Sequence, residues 1–127
     1  MRNPAHQQFW RAERESVPVV PIPYRDSFFA EESAQIRKGL VPVSMDEKWF
    51  VLFERPYLLL YRSWTGTLIY RLEMTEGPDG VQVVNATVLD NPDMYRRGSP
   101  DHEARLVSFL VRRLLLNQEA PFPEGAG

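Results

Sequence analysis

Between residues 48 and 89 the chain carries four runs rich in β-branched and aromatic residues, with very little between them. They are Lys48–Glu54, Tyr57–Ser63, Thr67–Thr75 and Val81–Leu89. The separators are Arg55-Pro56, Thr65-Gly66 and Gly77-Pro78-Asp79-Gly80, each made of turn-forming residues. Runs of this composition read as strands. Parallel neighbours need a crossover of a dozen or more residues, so connections this short leave an antiparallel meander as the topology.

The flanks supply helices. Asp26 or Ser27 is suited to cap a helix running to about Lys38, with Gly39 as its stop. Ser99-Pro100-Asp101-His102-Glu103 combines a cap, a first-turn proline and acidic residues at a helix N-terminus. After it Ala104, Val107, Leu110, Val111, Leu114 and Leu115 recur at helical spacing, with Arg105, Arg112 and Arg113 assigned to the outside. The fold class expected is α+β: a four-stranded antiparallel β-meander with a C-terminal amphipathic helix on one face, an N-terminal helix and a proline-rich extended arm. Residues 1–25 are read as that arm, 26–117 as a single domain and 118–127 as a flexible tail. Phe9-Trp10 and the run from Val17 to Tyr24 suit a strap across the domain or a docking segment, since proline withdraws backbone donors.

Strand alternation turns the hairpins into surfaces. With Arg55-Pro56 and Thr65-Gly66 taken as two-residue turns, Trp64 opposes Thr67, Arg62 opposes Ile69 and Trp49, and Leu60 lies between Val51 and Arg71. One face then holds Phe50, Leu52, Tyr57, Leu59, Tyr61, Leu68, Tyr70, Leu72 and Met74, and the C-terminal helix is its expected cover. The other face divides into an apolar half of Val51, Phe53, Leu58 and Leu60 and a half made of Trp49, Arg62, Trp64 and Arg71. A guanidinium beside indole stacks well and offers a forked donor to carboxylate or phosphate. Those four residues are the candidate binding patch, with Asp90, Tyr95 and Arg96 as a rim. Ordinary sheet stabilisation also uses cross-strand Trp–Arg pairs, and an aromatic near a turn often only covers a core edge.

The series Met45-Asp46-Glu47-Lys48-Trp49-Phe50, Arg62-Ser63-Trp64-Thr65-Gly66 and Ile69-Tyr70 resembles a family of small uncharacterised bacterial proteins. Those carry an M-D-x-K-W-F strand, an R-S-W-T-G hairpin and an I-Y strand. They continue with an Asn/Asp-rich segment ending in tyrosine and a final amphipathic helix, as Asp90–Tyr95 and residues 100–116 do here. The likeness covers roughly residues 37–117 and implies no established activity, so no catalytic role comes with it.

Composition narrows the function classes. The 127 residues contain no cysteine and two histidines, His6 and His102, which excludes thiol chemistry and Cys-containing zinc sites. No metal and no cofactor are expected. A formal charge of −2 and a pI near 5.7 argue against a duplex-DNA binder. No apolar run has signal-peptide or membrane-span length, so a cytoplasmic protein without a membrane role is expected. There is no phosphate-cradling glycine loop, and Ser63 lacks any nearby base in sequence. Glu73, Asp90 and Asp93 can approach one sheet edge, although solvated acids are the commoner outcome. The first reading is a non-catalytic binding or regulatory protein, an adaptor or immunity-like inhibitor whose partner is another protein. The alternative is a small enzyme or sensor for a nucleotide-like or phosphorylated ligand, with Arg62 and Arg71 on the anion and Trp49 or Trp64 on a ring. Single-stranded nucleic-acid binding by exposed rings is a third class, opposed by the acidic charge.

Overall fold

A computed structural model describes residues 18–44 and 47–119. The expectations for Phe9-Trp10, for Met45-Asp46 and for the tail from residue 120 lie outside the described residues. The described elements are β1 (Val19–Pro21), β2 (Asp26–Phe29), α1 (Ala30–Lys38), β3 (Trp49–Glu54), β4 (Tyr57–Arg62), β5 (Leu68–Gly77), β6 (Gly80–Leu89) and α2 (Pro100–Leu110). A π-helical turn, Val111–Leu115, continues α2. The architecture is α+β with an antiparallel sheet, in which β3 to β6 form the meander.

The sheet has six strands and not four. Strands β1 and β2 both pair with the same edge of β6, giving the order β1-β6-β5-β4-β3 with β2 beside β1 on that edge. Val19–Pro21 faces Thr87–Leu89, and Asp26–Phe29 faces Gly80–Val83. Between them the Ile22 amide donates to the Ala86 carbonyl at 3.0 Å. Proline is tolerated here because an edge strand has one side without ladder bonds. On the opposite edge, Leu40 and Val51 exchange both backbone hydrogen bonds, at 2.9 and 2.8 Å.

The N-terminal helix starts later than the Asp26 or Ser27 cap implied. Residues 26–29 are strand because Phe28 pairs with Val81 and is buried, and Asp26 is occupied by tertiary partners. Burial and pairing outweigh a local capping preference. Phe29 takes the N-cap position. The Glu32 carboxylate accepts its amide at 3.0 Å, which is half of a capping box, since a phenyl ring has no acceptor to return. The helix ends where sequence placed the stop: Gly39 has φ +66°, and a Cβ there would stand 2.3 Å from the Val51 carbonyl oxygen. Only glycine fits that approach.

The two hairpins of β3–β5 behave differently. Arg55-Pro56, joined by a cis bond, is a two-residue turn, and Trp49↔Arg62, Val51↔Leu60 and Glu54↔Tyr57 pair as the sequence implied. Thr65-Gly66 is not a two-residue turn. The connection is Ser63–Gly66, closed by hydrogen bonds from the Arg62 amide to the Thr67 carbonyl and from the Gly66 amide to the Arg62 carbonyl. Tyr61 consequently faces Leu68 and Leu60 faces Tyr70, with Ile69 as the extra residue of a bulge.

That one-residue slip reassigns the faces. Tyr70, Leu72 and Met74 join Val51, Leu58 and Leu60 in the main core, together with Ile36 of α1 and Ala104, Val107, Leu110, Val111 and Leu115. The C-terminal helix therefore covers the face opposite to the one expected from β3 and β4. Leu59, Tyr61 and Leu68, flanked by Phe50, Leu52 and Tyr57, form a separate small cluster on the far side. Among the described residues no helix is long and apolar enough to cross a membrane.

Candidate functional site

The N-terminal end of β3, the C-terminal end of β4 and the loop after β6 meet at one end of the sheet. Because Trp49 and Arg62 are a cross-strand pair, their side chains leave the same face, and the guanidinium carbon sits 4.6 Å from the Trp49 ring centroid. The loop 90–98 brings the Tyr95 ring to 5.9 Å from the same carbon. Tyr70 closes the circuit, with its ring 5.9 Å from Trp49 and 6.4 Å from Tyr95, the latter edge-on at 70°. Four side chains from three strands and a loop thus form one cluster, with the Arg62 cation stacked on Trp49 and Tyr95.

Glu103 anchors this arrangement from below. It is 1% exposed. Its Oε1 accepts the Tyr70 hydroxyl and the Tyr95 hydroxyl, each at 2.7 Å, and its Oε2 accepts the Gly98 amide at 3.0 Å. The hydroxyls also stand 3.2 Å apart. A buried carboxylate is tolerated only when its acceptor sites are filled, and here three donors fill them. Burial first, and then the Glu103 contact, pushes the Tyr95 phenol up to about 12, while nearby Arg62 pulls it back. Burial also raises Tyr70, reinforced by Tyr95 and Glu103. Both phenols therefore stay protonated donors across the physiological range.

Helix α2 starts where the carboxylate is needed. The Ser99 side chain accepts the His102 amide at 3.1 Å, and Pro100 occupies the first turn. With that start, Glu103 falls in phase with Val107 and Leu110 on the buried stripe. Sequence reading placed Glu103 only among the acidic residues at the helix start and put Tyr70 in a simple apolar face. The signal available was helical phase: a glutamate four positions before a core valine faces inward.

The four patch residues do not stay together. Trp49 is 8% exposed and serves as the floor. Arg62 is half-buried, and among the described residues no carboxylate or hydrogen-bond acceptor engages its guanidinium. Trp64 is 67% exposed, two residues further along the Ser63–Gly66 loop. Arg71 lies on the opposite face, paired with Leu59 and stacked 5.1 Å from the Tyr57 ring. The bulge at Ile69 separates the two arginines, so they cannot hold one anion. Of the rim residues, Tyr95 is part of the stack, while Asp90 forms an ion pair with Arg97 at 2.9 Å. Asp90, Pro92, Asp93, Tyr95, Arg96 and Arg97 line an open groove of about 500 Å³.

The catalytic combinations considered in sequence are not assembled. Glu73 accepts the Asn85 amide on the far face, away from Asp90. Ser63 Oγ donates to the Glu47 carbonyl at 2.6 Å, fixing the loop against the approach to β3. Among the described residues no three histidine or carboxylate groups converge as metal ligands would. No protein-family model, curated protein or solved structure matches the chain.

A second polar cluster lies elsewhere and ties the two ends of the domain. Arg112, placed outside by helical spacing, turns inward from the π-helical turn. It bonds Asp26 at 2.6 Å and stands 4.8 Å from the Phe28 ring. Tyr24 donates to the same Asp26 at 3.0 Å. Its phenol is raised by burial and by that carboxylate.

Proposed function

We propose that the protein is a non-catalytic binding or regulatory protein, an adaptor or immunity-like inhibitor, that engages another protein with the end of the sheet bearing Arg62 and Trp64. The observation that carries the proposal is the contrast between the end of β4 and the loop that follows it. Arg62 is held on the Trp49 ring without a described counterion, and Trp64 exposes two thirds of its surface. Exposed tryptophan beside a preoriented arginine is the composition of binding hot spots, where a few aromatic and guanidinium anchors dominate affinity. An arginine already fixed by stacking loses little conformational freedom on docking. The resemblance to small bacterial proteins supports a bacterial setting and brings no activity with it.

The test is quantitative co-purification from the source cells with tagged wild type, Arg62→Gln and Trp64→Ala. A protein retained by wild type and depleted at least tenfold by both variants is expected. Retention of the same set by all three would refute the surface.

A small enzyme or sensor for a phosphorylated or nucleotide-like ligand is the second reading, and the groove beside Tyr95, Arg96 and Arg97 favours it. It needs one cation cluster, whereas Arg71 stands on the other face and Arg97 is engaged by Asp90. A thermal shift above about 2 °C with any member of a nucleotide panel would promote it over the first, since ligands that bind only the folded state raise Tm.

A further inference from the structure

Resting on the surface just proposed, the geometry points to the chemistry of its partner: a single carboxylate, from an aspartate or glutamate side chain, next to an apolar side chain. The guanidinium of Arg62 is the anion receptor. It is positioned by the Trp49 ring at 4.6 Å and by the Tyr95 ring at 5.9 Å. Tyr95 is in turn held by the buried Glu103. A forked donor fixed in this way matches the two oxygens of a carboxylate in one plane.

A phosphate dianion fits less well. Of the two arginines in the adjoining groove, Arg97 is neutralised by Asp90 at 2.9 Å and Arg96 is exposed and, among the described residues, held by no ring, and Asp90 and Asp93 line the same groove. Only Arg62 is oriented by stacking, so it balances one negative charge at a fixed place, while the Asp90 and Asp93 carboxylates oppose a second. Phosphate sites gather several cations or backbone amides to avoid that cost.

The apolar part of the partner follows from what flanks the arginine. Trp64 is 67% exposed two residues after Arg62, and Met94 is 54% exposed immediately before Tyr95. Exposed indole and thioether surfaces, each within two residues in sequence of a member of the stack, suit a segment that sets an acidic residue beside a large apolar one.

The experiment uses the full-length, ¹⁵N-labelled protein, with the Arg62 Nε–Hε signal identified by its loss in Arg62→Gln. Three probes are titrated: end-blocked peptides with one Asp or Glu next to Leu, Met, Phe or Trp, their Asn or Gln counterparts, and inorganic phosphate. Expected is displacement of the Arg62 signal by acidic peptides, with affinity at least tenfold above that for the amide peptides and for phosphate. That preference disappears in Arg62→Gln, and Trp64→Ala weakens acidic and amide peptides alike. Equal affinity for acid and amide, tighter binding of phosphate, or an Arg62 signal unmoved by every peptide overturns the carboxylate assignment. Amide peptides that bind as well as acids and are lost in Trp64→Ala would overturn it while leaving the surface itself standing. Peptide binding indifferent to Trp64→Ala would take the surface down as well.

Discussion

Replacing Glu103 by alanine removes the acceptor for three donors at once, and the consequence divides unevenly among them. The Tyr70 hydroxyl is sealed in the core and keeps only the longer 3.2 Å contact to the Tyr95 hydroxyl, so loss of the carboxylate leaves it poorly satisfied, at about 1–3 kcal/mol. Tyr95 and Gly98 are half-buried and regain water, so each bond lost costs about 0.5–1.5 kcal/mol. Set against this, a carboxylate no longer has to be kept from water. The expected net loss is about 3 kcal/mol, a fall in Tm of roughly 9–15 °C for a domain of this size. Urea unfolding with unchanged m-values is the assay. The diagnostic lies in the second substitution. Tyr70→Phe alone should cost about 1 kcal/mol, because it removes one donor from a satisfied acceptor. Added to Glu103→Ala it should restore about 1 kcal/mol, because the poorly satisfied hydroxyl is gone. Additive losses in the double variant would refute the buried-donor reasoning.

Arg112→Ala should cost about 2–3 kcal/mol in urea unfolding, since it takes the cation from Asp26, leaving it the Tyr24 hydroxyl, and uncovers Phe28, while Arg37→Ala, on the exposed Glu76 pair, should cost less than about 0.5 kcal/mol. Gly80→Ala should unfold the β2–β6 edge, because a Cβ would stand 1.8 Å from the Phe28 carbonyl oxygen; a variant that keeps amide-exchange protection at Phe28 and Val81 would contradict this. In an alkaline titration followed by tyrosinate absorbance, Tyr95 should ionise near 12, above the ordinary value of 10. A raised phenol is protonated more in the folded state than in the unfolded, so its stabilisation is complete below pH 10 and is lost as pH climbs toward 12. Stability rising over that window would contradict the assignment. Arg71→Ala should leave partner capture unchanged, because its side chain is on the opposite face.

The meander, the C-terminal helix with its Ser99 cap, the Gly39 stop and the Trp49–Arg62 pairing were legible because each is written in local chemistry. Turn residues fix Arg55-Pro56, helical spacing fixes Val107 and Leu110, and positive φ fixes Gly39. What escaped was set by tertiary contact. Residues 26–29 look like a helix start and become a strand because β6 offers them a free edge. The four-residue Ser63–Gly66 loop and the bulge at Ile69 differ from a two-residue turn by one residue of register. That residue is enough to invert β5 against β4, to move the helix to the other face and to part Arg62 from Arg71. Glu103 was obscured by a rule that is usually sound, that acids in a first helical turn face solvent. Arg112 was hidden in the same way, since the π-helical turn rotates it from the polar side toward Asp26.

The proposed interface stands or falls on whether one loop end of the sheet binds as a unit, and affinity measured on the captured protein decides it. Isothermal titration of that protein against wild type, Arg62→Gln, Trp64→Ala and Arg71→Ala, each checked for folding by its far-UV spectrum, gives the answer directly. Expected is at least tenfold weaker binding for Arg62→Gln and for Trp64→Ala, with Arg71→Ala at the wild-type value. Wild-type affinity in the first two, or an equal loss in the third, would contradict it.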